Sequence, residues 1–120
     1  MIATTTTTIP QVNYLPGEDA AEGIRVFEIM KDAAERMAAP FKMARFTVEP
    51  NCASPVDSHA VHEIWMIAQG TGELIYDGQT VRISAPDLLY FEPPKTHLVK
   101  NDGTESLVVF SVWWNASLKP

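Results

Sequence analysis

Apolar residues recur along this chain in short runs, each closed by proline, glycine or a small polar residue, a rhythm that predicts strands rather than long helices. Ile24 to Met30 (Ile-Arg-Val-Phe-Glu-Ile-Met) reads as a first strand. Lys31 to Ala39 is rich in Ala, Glu, Arg and Met and favours a turn or two of helix, which Pro40 stops. Phe41 to Val48 alternates as a second strand and closes at Glu49-Pro50. Glu63 to Ala68 is an apolar run of strand length. Glu73 to Tyr76 and Gln79 to Ile83 flank Asp77-Gly78, the dipeptide that a type I′ hairpin turn needs because both positions take positive φ. In that register Leu74 faces Val81, and Glu73 faces Arg82 as an opposite-charge pair. Asp87 to Phe91 and Leu98 to Lys100 follow as strands, then a tight turn at Asn101-Asp102-Gly103, then a long last strand from Ser106 to Trp114.

Short strands separated by regular turn signals indicate an all-β fold, either a closed barrel or a sandwich. No repeat of solenoid length and no domain boundary interrupts it. Residues 1–23 read as an N-terminal lead with an edge strand, the threonine-rich start MIATTTTTIP carrying no burial pattern, and residues 24–120 read as one barrel.

Composition narrows this picture. The chain has 120 residues, of which 46% are hydrophobic, enough for one packed core and too many for a disordered tail. Its formal net charge is −6 with no basic cluster, which argues against a nucleic-acid or anionic-membrane surface. The lone Cys52 has no disulfide partner and reads as a small buried hydrophobe. The start lacks the charged-then-apolar order of a signal peptide, and no apolar run approaches a membrane span. The expected compartment is therefore the cytoplasm, where the Asn115-Ala-Ser117 sequon carries no meaning.

Candidate chemistry gathers around the three histidines, His59, His62 and His97. The stretch Asp57-Ser-His59-Ala-Val-His62-Glu63 packs three or four potential metal ligands into seven residues. A straight strand advances about 3.3 Å per residue, which would hold His59 and Glu63 roughly 13 Å apart. A tight connection at Ala60-Val61-His62 would make them neighbours, with Asp57 projecting from the same face and His62 facing solvent. Pro93-Pro94-Lys95-Thr96 forms a stiff approach to His97.

These residues resemble the cupin superfamily, whose first motif is G-x5-H-x-H-x3-4-E-x6-G and whose second is G-x5-P-x-G-x2-H-x3-N. His59-x3-Glu63-x6-Gly70 matches the later part of the first. Fifteen residues then intervene, and Pro86-x5-Glu92-x-Pro94-x2-His97-x3-Asn101 follows the spacing of the second. Asp57 stands where the first motif has its leading histidine, and Asn51 where it has its leading glycine. The resemblance implies a single-domain cupin β-barrel, a double-stranded β-helix or jelly-roll, that usually pairs as a homodimer. It further implies one divalent metal held by His59, Glu63 and His97, with Asp57 a substituted ligand position. Two histidines and one carboxylate suit Fe(II) with open positions or a catalytic Zn(II), with Mn, Ni and Cu as further occupants. Asp57 and His62 are the candidate proton carriers, and Asn101 reads as a turn residue.

The activity this implies is metal-dependent chemistry on a small molecule in secondary metabolism or catabolism: dioxygenation, isomerisation, cyclisation or metal-assisted rearrangement. The alternatives are a non-catalytic binding module and a metal-free barrel whose polar cluster is structural. Among the aromatics, Trp65, Tyr90, Phe110, Trp113 and Trp114 are candidates for core, pocket wall or interface. Adjacent strand residues face opposite ways, so Trp113 and Trp114 divide between inside and outside.

Overall fold

A computed structural model describes residues 11–30, 35–57 and 60–115. Nine strands lie among them: β1 (Glu18–Ala21), β2 (Ile24–Glu28), β3 (Lys42–Val48), β4 (Val61–Gln69), β5 (Thr71–Tyr76), β6 (Gln79–Ser84), β7 (Leu88–Phe91), β8 (His97–Lys100) and β9 (Leu107–Asn115). They form two antiparallel sheets, a larger one in the order β1-β2-β3-β9-β4-β7 and a smaller one in the order β6-β5-β8. This is the all-β, single-domain architecture that the strand rhythm predicts.

The β5–β6 hairpin has the expected turn and register. Asp77 and Gly78 take φ of 49° and 79°, Leu74 pairs with Val81, and Glu73 pairs with Arg82. Gly70 is the corner at which the chain leaves the large sheet for the small one. Its φ is +92°, and a Cβ there would lie 3.0 Å from the Ser106 carbonyl oxygen. Both facts require glycine.

The interior has two zones, set by which residues point inward. On β9 the inward row runs Leu107, Val109, Ser111, Trp113; on β4 it runs Ile67, Trp65, Glu63, Val61; on β3 it runs Val48, Phe46, Ala44. Large apolar side chains fill one end, where Ile67, Leu107, Val48, Val99 and Val109 are fully buried. Toward the other end the rows turn small or polar, and the sheets enclose a cavity instead of a core.

Several details differ from the sequence reading. The sheet begins before residue 24: β1 lies within the expected lead, and Tyr14 bridges Ile29. The expected helix is a single turn over 35–37, and residues 31–34, like 1–10, lie outside the described residues. Val61 and His62 belong to β4, so Ala60-Val61-His62 is not the connection before it. Cys52 is half-buried against the core. Asn101 does fix a turn. Its Oδ1 accepts from Gly103 N, and its Nδ2 donates to the carbonyls of Val48 and Glu105, with the side chain 1% exposed.

Replacing Asn101 with Ala strands those buried partners. We expect a loss of about 3 kcal/mol, read as a lower denaturant midpoint at unchanged slope.

Candidate metal centre and cavity

A cavity of about 400 Å³ opens between the sheets at the small-and-polar end. Val26, Ala44, Phe46, Val61 and Trp113 contribute its apolar wall, and Asp57, Glu63, His97 and Ser111 its polar part.

Glu63 is the centre of that polar part. Its Oε2 accepts from Trp65 Nε1 at 2.8 Å and from Ser111 Oγ at 2.5 Å. Strand geometry sets up both contacts, since Trp65 lies two positions along the same face of β4 and Ser111 pairs with Trp65 across β9. The second oxygen, Oε1, faces His97 Nε2 at 3.2 Å, within ion-pair reach but without the alignment of a hydrogen bond. The two side chains are only 13% and 4% exposed. Burial pushes the Glu63 carboxyl up; the adjacent His97 imidazole and the hydrogen bonds from Ser111 and Trp65 outweigh it and hold the group below its ordinary value.

His97 comes from the small sheet and is fixed from several sides. Its main chain pairs with Tyr76 on β5 and exchanges both N–H···O bonds with Asp57 at 2.9 Å. Its ring stacks on Phe91 with centroids 4.4 Å apart and meets Trp65 edge-on at 5.2 Å. Such a ring has little freedom to turn.

Of the predicted site residues, the structure brings Glu63 and His97 together. Asp57 is exposed at the cavity margin opposite His97, and does not join the pair in a cluster: among the described residues, no three His, Cys, Asp or Glu gather to hold an ion. His59 lies outside the described residues. His62 is a correction. It sits half-buried on the outer face of β4, its Nδ1 2.6 Å from the Tyr90 hydroxyl and its ring stacked on Trp114, so it neither faces solvent from a loop nor reaches the cavity. Trp113 lines the cavity and Trp114 lies outside, as strand parity requires. Ser111 and Phe91, which hold Glu63 and His97, carry no signal in their residue type. Their inward position on β9 and β7 is the only clue.

The donors present suit a divalent ion. An imidazole and a carboxylate face each other across the cavity, and one carboxylate oxygen makes no aligned hydrogen bond among the described residues.

An antiparallel jelly-roll with a buried His–Glu pair in a walled cavity defines a class of small-molecule- or metal-binding β-barrels. The chain belongs to the cupin family: the family model "Cupin domain" matches residues 44–113. A Cupin 2 conserved barrel domain protein from Salinispora arenicola superposes with a TM-score of 0.78 at 27% identity, covering 92% of both chains. A predicted oxalate decarboxylase from Thermotoga maritima matches at 0.69 and 18% identity, covering 96% of this chain and 99% of that one. The Cupin_2 domain of an XRE family transcriptional regulator from Enterobacter cloacae matches at 0.65 and 17%, covering 77% and 96%. The last two likenesses show the fold alone. Among the described residues no helix is long and apolar enough to cross a membrane.

A lowered folded pKa means that ionised Glu63 stabilises the fold above the ordinary glutamate range, and that this contribution is lost as pH falls through the folded value. In chelator-treated protein, wild type should therefore melt above Glu63→Gln at neutral pH, and the gap should narrow below about pH 4. Melting temperatures recorded against pH check this.

Proposed function

We propose that this chain is a metal-dependent small-molecule enzyme of the cupin type, with one divalent ion, zinc or iron, held by His59, Glu63 and His97. The observation that carries the reading is the facing of Glu63 Oε1 and His97 Nε2 at 3.2 Å inside a cavity. His59 is the third donor by its place in the first motif, four residues before Glu63. When bound, such an ion acts as a Lewis acid on a substrate oxygen or nitrogen. The chain's own part is positional. Trp65 and Ser111 hold Glu63 by one oxygen and leave the other directed inward. Phe91 and Trp65 fix the His97 ring, and the apolar wall limits water. Asp57, at the cavity margin, is the proton carrier; His62 is not, because it lies on the other face of β4.

A binding module without turnover is the second reading. It is favoured by the small number of titratable groups in the cavity and by the regulator domain among the structural matches.

Element-resolved analysis of protein purified without chelators tests the metal. About one zinc or iron per chain is expected, with loss in His59→Ala and His97→Ala. A ratio near zero, with no change in melting on adding Zn, Fe or Mn, overturns it. Turnover by the loaded wild type, abolished in His97→Ala that still folds, separates enzyme from binding module.

The homodimer expected from the resemblance is also proposed. Its support is the outer face of the large sheet, where Leu88 is 70%, Tyr90 48% and Met66 44% exposed, a self-complementary apolar surface for a second copy. Sedimentation equilibrium should show a dimer for wild type and a monomer for Leu88→Asp and Met66→Asp, with metal content unchanged.

A further inference from the structure

The cavity's chemistry also bears on what can enter it, through charge, hydrogen-bonding capacity and shape.

Charge comes first. Among the described residues, Asp57 and Glu63 line the cavity and no Lys or Arg does. The cationic side chains lie elsewhere: Arg45 on the outer face against Tyr14 and Phe27, Arg82 with Asp102, Lys95 with Glu92. A carboxylate or phosphate ligand would be desolvated beside two acidic groups with no guanidinium or ammonium to receive it. A divalent ion would only balance the two carboxylates.

Hydrogen-bonding capacity comes second. The neutral donors of the lining are already engaged within the protein: Trp65 Nε1 and Ser111 Oγ on Glu63 Oε2. The Ser54 hydroxyl accepts from Val99 N. A polyhydroxylated ligand such as a sugar needs many partners, and each hydroxyl buried without one costs free energy. The groups left to meet a ligand lie close together at Asp57, Glu63 and His97.

Shape comes third. Val26, Ala44, Phe46, Val61 and Trp113 present an apolar surface around about 400 Å³, space for a compact one- or two-ring molecule. Ala44 is the small member of the inward row Val48-Phe46-Ala44, and its size keeps this space open.

We propose that the cavity takes an uncharged, mainly apolar ring compound with one hydroxyl or carbonyl head directed at Glu63 and His97, and discriminates against anions and sugars. This deepens the reading of the cavity as the working site, and rests on it for the head group's destination but not for the binding of the apolar body.

Isothermal titration calorimetry tests it on full-length protein, both chelator-treated and metal-loaded, with 4-ethylphenol, 4-ethylbenzoate and glucose 6-phosphate as probes. The phenol is expected to bind both forms at least about tenfold more tightly than either anion. Ala44→Leu and Val26→Phe, which fill the cavity from two different strands, should each weaken the phenol about tenfold or more while melting cooperatively. Two variants keep the test open should one fail to fold. Phenol binding to protein that takes up no metal would sink the metal reading and uphold this one. A metal-loaded protein that ignores the phenol, or binds either anion as tightly, overturns this proposal and leaves the metal reading standing.

Discussion

Glu63 and His97 belong to different sheets, and their contact ties those sheets together at the end of the sandwich that has no packed core. A carboxylate buried this deeply is costly unless every oxygen finds a partner. One oxygen is satisfied within the large sheet, by the neighbour two positions along β4 and by a serine on β9. The other meets a partner only when the small sheet closes over it, because His97 stands on β8. The rest of the site follows from this division. Anything that holds the sheets apart leaves Glu63 half satisfied, and anything that binds between its Oε1 and the His97 ring acts on sheet closure as well as on chemistry.

The two-zone interior follows from strand arithmetic. Because side chains alternate with period two, one strand can serve core and cavity simply by changing the residue types along a single inward row. Leu107 and Val109 pack against Ile67 and Val48 at the closed end; four residues beyond Leu107 the same face of β9 presents Ser111, then Trp113. The core end supplies apolar burial that the cavity end forgoes. Gly70 and the Asn101 turn sit at the closed end, where Leu107 packs against the first and the Val48 carbonyl is bonded by the second. The rigid features lie away from the opening, and the open end is left free to accept a ligand.

How much of this could be read from the sequence depended on how local the deciding interaction is. The Asp77-Gly78 hairpin was legible because two adjacent residues determine the turn and the turn determines the register. The pairing of Glu63 with His97 was legible only through motif spacing, which encodes a long-range contact that no single stretch reveals. β1 was not legible as a strand: Glu18-Asp-Ala-Ala is largely exposed and poor in β-formers, and only its pairing with β2 makes it extended. The connection placed at Ala60–His62 rested on the reach of a straight strand between His59 and Glu63. What that reasoning lacked was the bridge from Asp57 to His97, a pairing across forty residues of chain that carries the segment to the small sheet before β4 begins.

The displacement of His62 from the cavity has a physical consequence for how the chain divides its two tasks. With β4 starting at Val61, adjacent residues serve opposite faces: Glu63 turns in toward His97, and His62 turns out toward Tyr90 and Trp114. The same alternation on β9 sends Trp113 to the cavity wall and Trp114 to the outer stack. The outer aromatic cluster and the inner polar pair therefore share two strands and a single register. A slip of one residue would exchange them, exposing the carboxylate on the outer face and burying Trp114 in the cavity. That exchange is opposed on both faces at once, by the partners of Glu63 within and by the His62–Tyr90–Trp114 stack without. An outward-facing histidine and tyrosine that take no part in the cavity's chemistry thus help to keep the inward-facing pair in place.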